Sequence, residues 1–220
     1  MEKGRKRKGG VIAPEGIPFI AAAAALAAVL CFVWPRSLAL TVVGLLLTAF
    51  VSWFFRNPER TPPPAPGAVI SPADGKIVYS GDCPPGIYFR DPGKKVSVFM
   101  SVFDVHVNRA PVSGRVAAVR YNKGTYLAAN VDKASLENEQ NGVVIETTGG
   151  RKVAYVQIAG LIARRIVCDL VEGDEVVRGQ RVGLIRFGSR VDVYLPADAA
   201  LSVRAGDRVR AGESVVGVLP

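Results

Sequence analysis

Two long uncharged stretches stand back to back near the start of the chain. Residues 17–34 (IPFIAAAAALAAVLCFVW) and 37–55 (SLALTVVGLLLTAFVSWFF) contain no Asp, Glu, Lys or Arg. Each is close to the roughly 17–25 residues that an α-helix needs to cross the hydrocarbon core of a bilayer. Pro35 and Arg36 between them are a turn signal that leaves a charge outside the lipid. A buried pair of core helices is the alternative, but two such runs in succession favour a transmembrane helical hairpin over residues 17–55.

Basic residues lie at the two outer ends of this hairpin. The first ten residues, MEKGRKRKGG, carry five Lys/Arg and one Glu, and Arg56 and Arg60 follow the second run. The positive-inside rule therefore places both the basic head (residues 1–16) and the C-terminal part of the chain on the cytoplasmic face of the cell membrane. A cleaved signal peptide fits less well, because a second apolar run follows the first.

The cysteines and the net charge narrow the class of protein further. The three cysteines, Cys31, Cys83 and Cys168, are odd in number and have no metal-ligand spacing, which indicates reduced thiols and no metal site. The formal net charge is +9. A basic protein held at a membrane meets anionic lipid headgroups. Nucleic acid is not an expected partner, because no known binding module is present and the basic residues are not interleaved with aromatic ones.

The rest of the chain has a β pattern. The Pro-rich segment RNPERTPPPAPGA (residues 56–68) indicates an extended linker. Beyond it, short runs of Val, Ile, Tyr and Phe alternate with polar residues, and turn residues separate them every 8–12 residues or so. We therefore predict a mainly β domain over residues 69–220. The polar stretch at residues 124–141 (GTYLAANVDKASLENEQN) is predicted to be a long functional loop with a helical turn.

Two sequence patterns occur twice within this domain. EGDEVVRGQRVGLI (residues 172–185) matches AGDRVRAGESVVGVL (residues 205–219), and SPADGKIV shares a looser Pro-x-x-Gly form with PVSGRVAAV. Gly-Asp turns between short strands are typical of compact β-barrel-sandwich domains. This fold class does not by itself define a function. A swinging-arm carrier is not favoured, because no lysine sits at a hairpin tip flanked by Met or Ala.

Three side chains together offer the groups that acyl chemistry needs. His106, the one histidine of the chain, lies in FMSVFDVHVNRAP; Asp74 lies in SPADG; and Ser189 follows Gly188 in RFGSRVDVYLP. Each alone has a structural explanation, namely a core histidine, a turn aspartate bonded to nearby backbone, and a β-bulge. Together they supply a serine nucleophile, a candidate base and a candidate orienting group.

These motifs resemble the short-type phosphatidylserine decarboxylases, a family of pyruvoyl-dependent proenzymes. The resemblance runs through nearly the whole chain, from the N-terminal hairpin through FFRNPER, SPADGKI, FMSVFDVHVNRAP, NEQN and QIAGLIARRIV to FGSRVDVYLP. Long-type members carry Leu-Gly-Ser-Thr at the last of these sites, where this chain has Phe187-Gly188-Ser189-Arg190.

The resemblance implies a self-cleaving enzyme with a covalent cofactor. The Ser189 hydroxyl would attack the Gly188 carbonyl, and the chain would separate into a β chain (residues 1–188) and an α chain (residues 189–220) that remain together as a heterodimer. Residue 189 would become a pyruvoyl group, which forms a Schiff base with the membrane lipid phosphatidylserine. Loss of CO2 would then give phosphatidylethanolamine, the reaction of a carboxy-lyase. Whether such heterodimers assemble into a higher oligomer is left open.

The resemblance also implies roles for particular residues. Asp74 would assist self-cleavage, and His106 would transfer protons during decarboxylation. Arg109 stands where long-type members have a second histidine, so the base for cleavage stays open between His106 serving both steps and Asp74 acting through water. Arg164 and Arg165 could contact the lipid phosphate, or form a solvated pair of charges.

Two other functions remain as alternatives at this point. One is a non-catalytic, membrane-tethered adaptor in which Gly188-Ser189 is only a bulge. The other is a serine hydrolase that uses Ser189 and His106 in an intact chain. The sequence does not distinguish an ester-linked from an ether-linked serine lipid as substrate.

Overall fold

A computed structural model describes residues 9–35, 37–86, 88–124, 138–160, 166–186 and 189–220. These residues fall into two compact units, one that ends at Glu59 and one that begins at Arg60. The turn residue Arg36, most of the predicted loop at 124–141, the pair Arg164 and Arg165, and Gly188 lie outside the described residues.

The first unit is a pair of helices. After a 3-10 turn at Pro14–Gly16, helix α1 spans Ile17–Val33 and helix α2 spans Leu38–Phe54. The helices approach closely at Gly44, where an added Cβ would lie 2.8 Å from the Cβ of Ala27. Both helices begin and end within one residue of the two predicted apolar runs.

One helical segment is long and apolar enough to cross a membrane among the residues that the structure describes. It runs from Pro14 to Val33, and its large side chains, such as Val29 and Phe32, are mostly exposed. Helix α2, with 17 residues, is shorter. Its length of about 26 Å is slightly less than the roughly 30 Å of a bilayer core.

The second unit is mainly β, as predicted, and its strands are all antiparallel to their neighbours. They form one eight-stranded sheet, in the order β13-β2-β3-β11-β7-β6-β5-β9, and two three-stranded sheets, β1-β14-β12 and β4-β10-β8. The strand bounds are β1 Ala68–Ile70, β2 Gly75–Cys83, β3 Gly93–Met100, β4 Val107–Arg109, β5 Gly114–Asn122, β6 Gln140–Glu146, β7 Lys152–Ala159, β8 Ile166–Cys168, β9 Glu175–Val176, β10 Arg181–Ile185, β11 Ser189–Pro196, β12 Ala200–Leu201, β13 Arg208–Val209 and β14 Val215–Val218.

These strands are two copies of one seven-stranded motif. Strands β1–β3 with β11–β14 form one copy, the outer half, and β4–β10 form the other, the inserted half. The copies share their irregularities: the β2–β3 ladder shifts register between Ile77 and Tyr79, and the β5–β6 ladder shifts between Val116 and Ala118. The repeated sequence patterns are therefore the equivalent turns of two related halves.

The inserted half interrupts the outer half at one place. In the inserted half a short turn joins β6 to its partner β7, whereas in the outer half the paired strands β3 and β11 are separated by the whole inserted half. Ser189, the first residue of β11, lies where the chain returns from the inserted half to the outer half. Strand β11 then pairs with both β3 and β7, and its alternate residues Val191, Val193 and Leu195 enter the core.

A glycine opens the equivalent strands β2 and β5. Gly75 has φ +154° and Gly114 has φ +155°, in a region that L side chains rarely adopt. An added Cβ would lie 2.1 Å from the carbonyl oxygen of Phe99 at Gly75, and 2.2 Å from that of Glu146 at Gly114. The shared Pro-x-x-Gly pattern is thus explained by close backbone approach.

We predict that Gly114→Ala lowers the free energy of unfolding by at least about 2 kcal/mol, because the Cβ would collide with backbone that cannot move without opening the β5–β6 ladder. Gly86→Ala is the matched control, since no atom lies within 4 Å of the Cβ that it adds. Urea denaturation of the two purified variants in detergent measures the difference. Equal unfolding free energies would contradict the proposed close approach.

Candidate active site

Ser189 is fully buried at the start of β11. It pairs with Met100 on β3 and with Ala159 on β7, and its Oγ donates a hydrogen bond to the Met100 sulfur at 3.4 Å. A thioether is a weak acceptor, so this contact orients the hydroxyl without taking its proton. Two strands therefore fix the position of the side chain that the sequence singled out as a nucleophile.

His106 lies in the loop that joins β3 to β4, and the structure fixes its tautomer. Its ring is buried, and Nδ1 lies 2.9 Å from the carbonyl oxygen of Asp104. Because a carbonyl oxygen only accepts, Nδ1 carries the proton. In the neutral ring Nε2 is then the nitrogen that can accept one.

The loop around His106 is held by the side chain of Asp104. One carboxylate oxygen accepts hydrogen bonds from the backbone N–H and the hydroxyl of Ser101, at 2.8 and 2.7 Å. The other accepts from Arg208 at 3.3 Å. Ser101 directly follows Met100, the residue opposite Ser189, and the His106 carbonyl accepts from the backbone N–H of Ile185 at 3.4 Å. These contacts bring His106 and Ser189 to the same end of the β unit.

Asp74 is engaged in a buried ion pair. Arg60 donates to both carboxylate oxygens, at 3.0 and 2.9 Å, and the backbone N–H of Ala211 donates to Oδ1 at 2.7 Å. Both side chains are largely buried. Within the described residues the Asp74 carboxylate contacts these two partners and does not reach Ser189 or His106. No pattern in the sequence predicted this pairing.

The turn that carries Asp74 nevertheless contacts the site through its backbone. The carbonyl oxygen of Pro72 accepts the backbone N–H of Arg109 at 2.9 Å and the side-chain amide of Asn108 at 3.5 Å. The same Asn108 nitrogen lies 3.8 Å from the Met100 sulfur, which also receives the Ser189 hydroxyl. Asn108 thus connects the turn to the surroundings of Ser189.

Three buried amides form a chain behind Met100. Gln157 donates to the side-chain oxygen of Asn108 at 2.9 Å and to the carbonyl oxygen of Val167 at 3.3 Å, and it accepts from Asn141 at 3.2 Å. Buried amides that satisfy one another hold a single arrangement. Sequence reasoning missed these residues, although polar side chains inside the apolar runs of β6 and β7 were a signal for them.

Cys83 and Cys168 do not compete with Ser189 as nucleophiles. Burial raises the pKa of the Cys83 thiol and of the Cys168 thiol, so both remain protonated at neutral pH. In the part of the chain that the structure describes, no three His, Cys, Asp or Glu side chains come together as a metal site would require.

Two arginines near the site are held by other groups. Arg109 is buried and donates to the carbonyl oxygen of Gly179 at 2.8 Å. Arg190 follows Ser189 and forms a buried ion pair with Asp192 at 2.9 Å. Since side chains alternate along a strand, this pair faces away from the core that Val191 and Val193 enter. Arg164 and Arg165 lie outside the described residues.

Comparison with known proteins identifies the family. The sequence profile of the phosphatidylserine decarboxylase family matches residues 47–217. A protein named phosphatidylserine decarboxylase proenzyme from Geobacter metallireducens is 51% identical over 212 residues, which cover 95% of this chain and 97% of that protein.

Two other bacteria have similar proteins of the same name. The one from Geotalea uraniireducens is 49% identical over 98% of this chain and 100% of its own length, and the one from Magnetococcus marinus is 44% identical over 96% and 97%. Matches of this identity and coverage confirm the resemblance seen in the motifs. The chain belongs to the phosphatidylserine decarboxylase family, a family of decarboxylating enzymes.

Proposed function

We propose that this chain is a membrane-held proenzyme that cuts itself at Gly188-Ser189 and then decarboxylates phosphatidylserine to phosphatidylethanolamine and CO2. The observation that carries the proposal is the placement of Ser189. It is a buried serine at the start of a strand that is paired on both sides, at the same end of the β unit as His106. Family membership supports the choice of reaction.

Self-cleavage begins at the Ser189 hydroxyl. Its oxygen attacks the carbonyl carbon of Gly188, the peptide C–N bond breaks, and the hydroxyl proton passes to the nitrogen of Ser189, which leaves an ester. Loss of the Cα proton of Ser189 then expels Gly188 as a carboxylate and leaves a dehydroalanine on residue 189. Addition of water and release of ammonia convert this residue to a pyruvoyl group.

The surroundings of Ser189 fit such a group. The residue is excluded from water, and strands β3 and β7 hold its backbone after its covalent link to residue 188 is lost. A pyruvoyl group at this position supplies a carbonyl that can take the substrate amine and accept the electron pair left when CO2 departs.

His106 provides the proton-transfer group in this proposal. Its Nε2 is the acceptor nitrogen of the neutral ring, so it can take a proton during cleavage and return one after CO2 has left. Asp74 contributes by position, because its carboxylate is bound by Arg60 and by the Ala211 backbone. We therefore propose His106 as the base for both steps, in preference to Asp74 acting through water.

The two chains should remain together after the cut. Residues 189–220 place β11 between β3 and β7, β14 between β1 and β12, and β13 beside β2. Every one of these ladders survives a break before residue 189, because the break falls between the two halves of the duplication. The α and β chains form a heterodimer on this basis.

The helices hold the enzyme where its substrate is. We place helices α1 and α2 in the cell membrane and the β unit on its cytoplasmic face, supported by the apolar segment Pro14–Val33 and by the flanking basic residues. Phosphatidylserine stays in the bilayer, so anchoring raises the frequency of encounter. Arg164 and Arg165 remain candidates for contact with the lipid phosphate, on sequence grounds alone.

We predict that Ser189→Ala stays uncut and has no turnover, because it lacks the attacking oxygen. His106→Ala should lose about 10²–10⁴-fold in rate, the usual contribution of general acid–base catalysis, in both cleavage and turnover. A gel measures the cut fraction, and release of CO2 from serine lipid in vesicles measures turnover on the same samples. Normal turnover by His106→Ala would make His106 a structural residue, and a cut Ser189→Ala chain would exclude the mechanism.

We also predict that removal of residues 1–56 leaves a β unit that folds and cuts itself but works poorly on serine lipid in vesicles. The reason is that the compact β unit begins at Arg60, beyond the deletion. Activity on the same lipid dispersed in detergent is the control and should be retained. Full activity on vesicles would contradict the anchoring role, and failure to cut would contradict independent folding of the β unit.

A further inference from the structure

The duplication allows Asp74 to be compared with an equivalent residue in the same molecule. Its counterpart in the inserted half is Ser113, which also precedes the strand-opening glycine. Ser113 Oγ accepts the backbone N–H of Arg178 at 2.9 Å, just as Asp74 Oδ1 accepts that of Ala211 at 2.7 Å. This position is therefore a turn cap in both halves, including the half that holds no counterpart of Ser189.

At this position the outer half differs from the inserted half, because its capping residue Asp74 is charged and pairs with an arginine. Asp74 has a second carboxylate oxygen, and Arg60 binds both oxygens while also donating to the Ala211 carbonyl at 3.1 Å. In the inserted half Ser113 is neutral. The Arg178 side chain there binds the carbonyl oxygens of Pro63, Ala65 and Ala68 instead.

Arg60 thus links three separate segments of the chain. These are the stretch before β1, the turn at residues 71–74, and the turn at residues 211–214, which belongs to the proposed α chain. The turns are also joined by backbone hydrogen bonds, from Gly212 to Ser71 at 2.9 Å and from Ser71 to Ser214 at 2.8 Å. Because the guanidinium binds both carboxylate oxygens, it fixes the orientation of the carboxylate, which the point charge of a lysine does not do.

A shift in the turn at 71–74 would reach the reacting serine. Pro72 in this turn accepts from Asn108 and Arg109 on β4, the strand that begins directly after His106. Asn108 in turn shares the Met100 sulfur with Ser189. The pair of Arg60 and Asp74 therefore acts on the elements that carry both His106 and Ser189.

We propose that Arg60 is a positioning residue for self-cleavage, and that it acts through Asp74, whose carboxylate is a fixed anchor for the turn and not the base. The proposal rests on the proposed function, since it requires that the chain cuts itself. It differs from the expectation that Asp74 activates the nucleophile through water.

The test uses the full-length chain with Arg60→Ala, Arg60→Lys, Asp74→Ser and the double variant Arg60→Ala/Asp74→Ser. Asp74→Ser copies the inserted half, so it keeps the cap to Ala211 and loses only the ion pair. The cut fraction is followed over time after cell-free synthesis into lipid vesicles, and the thermal midpoint is measured on each sample.

We expect Arg60→Ala and Asp74→Ser each to cut on the order of 10²-fold more slowly, the cost of a small misplacement of reacting groups. The double variant should be no slower than the slower single variant, because the two residues act as one unit. Arg60→Lys should fall between Arg60→Ala and the unchanged chain, since it restores the charge without the fork.

Arg178→Ala is the matched control, because it removes the guanidinium that holds the same stretch of chain from the inserted half. It should cut at the unchanged rate even if its thermal midpoint falls, which separates positioning from stability. Normal cutting by Arg60→Ala, or a block in Asp74→Ser alone, would overturn the proposal. So would Arg178→Ala cutting as slowly as Arg60→Ala at the same thermal midpoint. An unchanged chain that stays whole would instead overturn the proposed function, and this inference with it.

Discussion

Strand β11 is hydrogen-bonded along both of its edges, and the rest of the β unit depends on that double pairing. On one side it continues the outer half through β3, and on the other it joins the inserted half through β7. Val191 and Val193 on this strand lie in the core shared by the halves. The same pairing holds Ser189 in place, and it would keep residues 189–220 bound after the proposed cut before residue 189.

The position of Ser189 at the junction of the two halves gives the proposed self-cleavage a structural rationale. A break inside either half would separate strands that depend on a short connection, such as the turn between β6 and β7. A break at the junction leaves all ladders closed, because β11 finds its partners through hydrogen bonds that cross between distant segments. The duplication thus provides a place where the backbone can be cut at little cost to the fold.

Local patterns in the sequence were enough to predict the helices and the β class. Uninterrupted apolar runs fixed α1 and α2, and turn residues between short Val- and Ile-rich runs indicated the strands. The repeated Gly-Asp and Pro-x-x-Gly patterns predicted only the β-barrel-sandwich class, and the structure shows that they are equivalent turns of two halves. Residues 56–68 were predicted to be a linker, and the structure shows that Arg178 binds three carbonyl oxygens of this stretch.

Only part of the candidate site could be predicted from the sequence, because its contacts join residues that lie far apart in the chain. Arg60 and Asp74 carry no shared pattern, and neither do Asn108, Gln157 and Asn141. Ser189 and His106 were singled out by their residue types and received their roles from the family resemblance, while the tautomer of His106 required the Asp104 carbonyl to be located.

Self-cleavage would make residue 189 the first residue of a new chain, and the intact mass of the purified, active protein under denaturing conditions shows whether it does. We expect two species, of which the smaller comprises residues 189–220, has no free amino group and is lighter than a serine-started chain by one ammonia. A single species of 23.4 kDa in active material would contradict self-cleavage.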